Sequence, residues 1–175
     1  MRDIKDVAKY IGLNLIQKGF EVSPLKLQKM LYYVQAWYMV FFGRDKTLFR
    51  DVPQAWVNGP VYPTIFNEYR SISRESPLCK EAFGVAPDSN VEDEINNLVI
   101  KLNLNKDEIG CLDSIISLYG MKNQDVLVAY THTELPWMEK RNGLQPYQSS
   151  TDELSLDTMY SYYKNRIENR RNRKN

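Results

Sequence analysis

Residues 23–43, SPLKLQKMLYYVQAWYMVFFG, constrain this chain more than any other stretch. Ser23 is a good helix N-cap, and Pro24 suits the first helical position, where its missing N–H costs nothing. Gly43 provides a stop just past the last turn. Between them, Leu27, Leu31, Val34, Tyr38 and Phe41 recur at helical spacing as one apolar stripe, with Met30, Tyr33, Trp37 and Val40 beside it. Polar residues gather in the first turns (Lys26, Gln28, Lys29), with Gln35 further along. A helix apolar around most of its circumference is buried on several sides. At roughly 30 Å long it crosses a small domain. It is too aromatic and too broken by polar groups for a membrane span. The stretch therefore reads as the central core helix.

A helix of this kind needs a domain to cover it, and 175 residues supply one. That length buries enough surface to fold without a metal or disulfide staple. Cys79 and Cys111 form neither a disulfide framework nor a zinc pattern, and read as free thiols in a reducing cytoplasm. The opening MRDIKDVAKY has no signal-peptide run, so a cytoplasmic protein is expected. A formal charge of +1 selects no class of partner.

The remaining elements follow from periodicity and caps. Asp3 opens a first helix over 3–19, with Ile4, Val7, Ala8, Ile11 and Leu15 on one face and Gly19 at its end. Leu48, Phe49 and Val52 tuck a polar loop onto the core. Ala55–Val57 reads as a short strand before the strong turn Asn58-Gly59-Pro60, and Pro63 starts a helix with Ile65, Phe66 and Tyr69. Residues 71–90 are an irregular excursion. Ser89 and Glu92 have capping-box spacing before a helix over 91–102. Asn105 and Glu108 repeat it before a clearer helix over 106–119, faced by Ile109, Leu112, Ile115, Ile116 and Tyr119. Further helices are expected near 123–131 (Val126, Leu127, Tyr130) and over 153–169 (Leu156, Met159, Tyr160, Tyr163), with a turn at Pro136 capped by Thr133 or Glu134. The expected class is mainly α: a compact single-domain helical bundle around a buried central helix, with at most a small β element. The domain is expected over 1–165, and 166–175 as a basic tail.

No catalytic chemistry stands out. His132 is the only histidine, and neither cysteine lies in a nucleophile context beside it. The simpler role of His132 is a hydrogen bond that fixes the turn before Pro136. One histidine among scattered carboxylates does not make a metal site. Gly43, Gly59 and Gly84 are isolated, so no phosphate loop is present, and no cofactor is expected. The rigid aromatic loop around Trp56 and Tyr62 serves equally well as a tight connector or as a recognition surface.

Three segments together resemble a known family: LKLQKMLYYVQAWYMVFFG at 25–43, AWVNGPVYPTIFNEY at 55–69 and THTELPWMEKR at 131–141. They are similar to the Panacea domain of GepA-like and SocA-like proteins from phages and mobile elements, over roughly residues 5–165. Asn58 stands where that family has histidine or asparagine, and Leu135 where it often has glycine. Residues 71–104 look longer and more individual. The appended helix-turn-helix that some relatives carry is not seen.

The resemblance implies an antitoxin, not an enzyme, that binds and neutralises a cognate toxin encoded nearby. The expected partner surface draws on Trp56, Asn58 and Tyr62, with the nearby turn at His132, Glu134 and Trp137; the resemblance itself implies only that these positions matter to the domain. One alternative is a proteolytic adaptor that delivers the toxin to an ATP-dependent protease. Another is nucleic-acid contact through Lys164, Arg166, Arg170, Arg171, Arg173 and Lys174. No membrane partner is expected.

Overall fold

A computed structural model describes residues 2–172. The fold is mainly α, as the periodicity predicts. α1 (Ile4–Gln17) and α2 (Pro24–Phe42) lead to a two-stranded antiparallel hairpin of β1 (Gln54–Trp56) and β2 (Gly59–Val61). Then come α3 (Pro63–Tyr69), a 3₁₀ turn at Lys80–Phe83, α4 (Val91–Lys101), α5 (Lys106–Gly120) and α6 (Gln124–His132). α7 (Leu135–Met138), a second 3₁₀ turn at Glu139–Arg141 and α8 (Leu156–Asn172) complete the order. α8 passes straight through the expected boundary at 165/166, and residues 173–175 of the expected tail lie outside the described part.

α2 is the hub, with α1, α5, α6, α8 and β2 all packed on it. Ser23 Oγ accepts from the Lys26 N–H, and Pro24 occupies the first turn. Leu27, Met30, Leu31, Tyr33 and Val34 are fully buried, and each such side chain contributes about 2 kcal/mol. Tyr33 stacks on Tyr119 of α5 with centroids 3.9 Å apart, and Trp37 meets Tyr163 of α8 edge-on at 4.9 Å. Phe41 departs from the predicted stripe. It lies on the last turn, beyond the packed elements, and is 60% exposed.

The other caps are mostly as expected. Asp3 accepts from the Lys5 N–H, and Asn105 with Glu108 forms a complete capping box. Glu108 is also pinned by Tyr38 and by Arg2, which reaches the Leu102 carbonyl as well. α4 is capped by Asn90 and not by Ser89, because the Asn90 carboxamide sits directly before the first turn and takes the Glu92 N–H. Glu134 precedes α7 but makes no side-chain cap, being engaged elsewhere. On α6 only Leu127 of the expected trio is buried, while Val126 and Tyr130 face outward.

Candidate functional site

The polar residues of α2 provide the starting point for the site. On a surface helix they would face water; here Lys26, Gln28, Lys29 and Gln35 are all buried. Each is paired with backbone. The Gln28 carboxamide accepts from the Tyr62 N–H at 2.8 Å and donates to the Tyr62 carbonyl at 3.3 Å, taking the place of a neighbouring strand. Gln35 does the same for the preceding loop, accepting from Leu48 N–H and donating to the Phe49 carbonyl, both at 2.9 Å. Lys29 Nζ donates to the Pro60 carbonyl at 2.8 Å, and Lys26 Nζ to the Gly120 carbonyl at 2.6 Å. Burial lowers the Lys29 ammonium to about 7.

The third motif grips the hairpin from the other side. Trp137 Nε1 donates to the Trp56 carbonyl at 2.9 Å. Arg141 donates to the carbonyls of Ala55, Gln145, Pro146 and Gln148, so one guanidinium ties β1 to the loop that follows α7. His132 stacks on Trp137 with centroids 4.1 Å apart and planes 12° from parallel. Its imidazole is held below its ordinary value by burial first and then by Lys29, against a hydrogen bond with the Val57 backbone. The predicted bond to the Pro136 turn is absent among the described residues: the ring's Nε2 is buried without a partner, and the stack on Trp137 holds it in place.

The six expected partner residues separate into three settings. Trp56 and Asn58 are half-buried and line a groove. His132 and Trp137 are half-buried in their stacked pair. Tyr62 and Glu134 lie in the interior, with exposures of 0% and 3%, and in this conformation present no side chain to a docked protein. Tyr62 packs edge-on against Phe49. Glu134 accepts from the Tyr163 hydroxyl at 2.5 Å and from Arg166 at 3.1 Å. Burial pushes its carboxyl above the ordinary value, against the pull of those two donors. Arg166 therefore belongs to the core network and not to a free basic tail.

The groove is the feature that sequence reasoning missed. It has a volume of about 610 Å³ and runs between the hairpin, the first turns of α2, α3 and the segment 149–151. Val61, Ile65, Phe66 and Trp56 give it apolar walls, and Trp56 meets Phe66 edge-on at 4.8 Å. Phe66 is 44% exposed. Arg70 and Arg74, both exposed, are the charged residues along it. No local pattern marks such a groove, because four separate segments build it.

Two of the three motifs, at 25–43 and 131–141, thus hold the third, at 55–69, between them. A family model described as antitoxin SocA-like, Panacea domain, matches residues 27–138, from the first turns of α2 to the end of α7. The chain belongs to this family. The matched span lies inside the 5–165 that the motifs suggest, and the membership brings an antitoxin-like role. No curated protein and no solved structure matches the chain. In this Panacea domain α1 and α8 fall wholly outside the matched span, yet both pack directly on α2. Among the described residues no helix is long and apolar enough to cross a membrane.

Proposed function

We propose that this Panacea domain is an antitoxin that neutralises a cognate toxin by direct protein–protein binding. The observation that carries this reading is the open, apolar groove beside the motif hairpin. Exposed apolar concavities on a compact domain mark interaction sites. The surroundings support the same reading. Two buried polar groups of α2, Lys29 and Gln28, are spent on the backbone of the hairpin and of Tyr62 just after it, so the hairpin stands as a rigid platform that loses little entropy on docking. Trp56 and Asn58 are the motif residues this reading assigns to the partner surface, and Tyr62, Glu134 and Trp137 hold the platform behind them.

Co-expression with the product of the adjacent open reading frame tests the reading. Rescue of growth together with a stable stoichiometric complex is the expected result. A neighbour that disappears, and returns when an ATP-dependent protease is disabled, would replace sequestration with the adaptor reading. A neighbour that is harmless alone and never co-purifies would overturn toxin binding altogether.

A further inference from the structure

The groove's chemistry narrows what can fill it. Its walls are apolar, and its charged residues are both arginines. Arg74 Nε contacts Glu75 at 3.2 Å in an exposed pair, and among the described residues Arg70 forms no ion pair. The field along the groove is therefore cationic. One wall has a different character. Beyond it, Ala55 N–H donates to the Asp152 carbonyl, and Gln54 bridges Glu153 in antiparallel fashion. Among the described residues, Ser149, Ser150 and Thr151 make no backbone hydrogen bond. Their backbone groups are thus left over beside the groove, and unpaired backbone of this kind is what extended peptides add to.

We propose that the groove receives an extended segment of the toxin that combines apolar side chains with one or two carboxylates. This rests on the antitoxin reading above. The apolar side chains pack between Trp56, Val61 and Phe66, the backbone pairs with 149–151, and the carboxylates meet Arg70 and Arg74. The chain's own residues 173–175, Arg-Lys-Asn, carry the wrong charge to serve as occupant. A second copy would have to bring an acidic, apolar segment to the same two arginines.

The test uses the full-length protein and the co-expressed product of the adjacent reading frame. Two variants probe the site: Phe66→Asp, and the pair Arg70→Glu with Arg74→Glu. All three positions are exposed, and thermal melts confirm that the fold is retained. Wild type is expected to give a complex whose affinity falls as salt rises. The double charge reversal should weaken it at least about tenfold and flatten the salt dependence. Phe66→Asp should abolish it. Hydrogen exchange should show new protection at the amides of 149–151 and in one acidic segment of the partner. Changing that segment's carboxylates to lysine should restore binding to the double variant. Variants that bind and rescue like wild type, with protection on another face, overturn the groove while leaving the antitoxin reading intact. An isolated protein that is already a dimer with 149–151 protected assigns the groove to self-association and overturns the proposal. Failure of wild type itself to bind overturns both readings together.

Discussion

On the side of the hairpin that meets α2 and α6, Lys29, Gln28, Tyr62 and Gly59 are all buried, and hydrogen bonds tie Lys29 and Gln28 to hairpin backbone. On the side that opens to the groove, Trp56, Asn58 and Phe66 keep part of their surface in water; Phe66 packs on Trp56, which donates to Gln54 and accepts from Trp137. Residues two or three apart in one short motif therefore serve different ends. The inner set fixes where the hairpin sits, and the outer set is free to meet something else. A motif shared across a family does not mark an interface by itself; the side of the hairpin on which a residue falls decides that.

Substitutions should separate the two faces cleanly. The largest effect is expected at Gly59, whose φ of +94° is strained for any side chain. A Cβ there would lie 2.6 Å from Thr131 Oγ1 and 2.8 Å from Lys29 Cε. Gly59→Ala should cost about 3 kcal/mol or more in urea denaturation. Gln28→Ala comes next. It leaves the N–H of buried Tyr62 unpaired, while the Tyr62 carbonyl keeps the N–H groups of Ile65 and Phe66, and should cost about 2 kcal/mol by the same measurement.

The third test uses pH. Burial brings the folded Lys29 ammonium down to about 7, whereas an unfolded lysine keeps its ordinary value of 10.5. Between these values the unfolded state holds more protons, so stability rises with pH; below 7 both states are charged and the burial penalty is felt in full. The gain should be about 2 kcal/mol from pH 7 to 9. His132, whose imidazole is lowered by burial, adds a change of the same sign below its ordinary 6.5. Lys29→Met should flatten the rise above pH 7, and a melting series that keeps it would place the titration elsewhere. The smallest effect on stability belongs to the outer face. Asn58→Ala should shift it by no more than about 0.5 kcal/mol while reducing rescue in the co-expression assay. Loss of stability on a par with Gln28→Ala would erase the distinction between the faces.

The helices were legible because apolar spacing and caps are local signals. The capping box at Asn105 and Glu108 needs no tertiary knowledge, and the turn at Asn58-Gly59-Pro60 announces the hairpin. Lys29 and Gln28 were not legible as interior residues, since their side chains look solvent-directed until the hairpin backbone supplies acceptors and donors. Arg141 is similar, as its four carbonyl partners come from β1 and from a loop with no periodicity of its own. Placing Tyr62 and Glu134 at the surface failed for a related reason. Proximity along the chain to a turn says little about which way a side chain leaves it.

The core around α2 is closed by residues that arrive late during synthesis. Tyr33 waits for Tyr119, and Trp37 for Tyr163, partners far along the chain. A ribosome that has released α1 and α2 has therefore produced a helix whose broad aromatic face has nothing to cover it. Contacts of such range slow folding and leave apolar surface open to chaperones and proteases meanwhile. A chain stopped before Tyr163 would leave Trp37 without its edge-on neighbour and Glu134 without its hydroxyl donor, so translation has to pass Tyr163 before this domain can hold its shape.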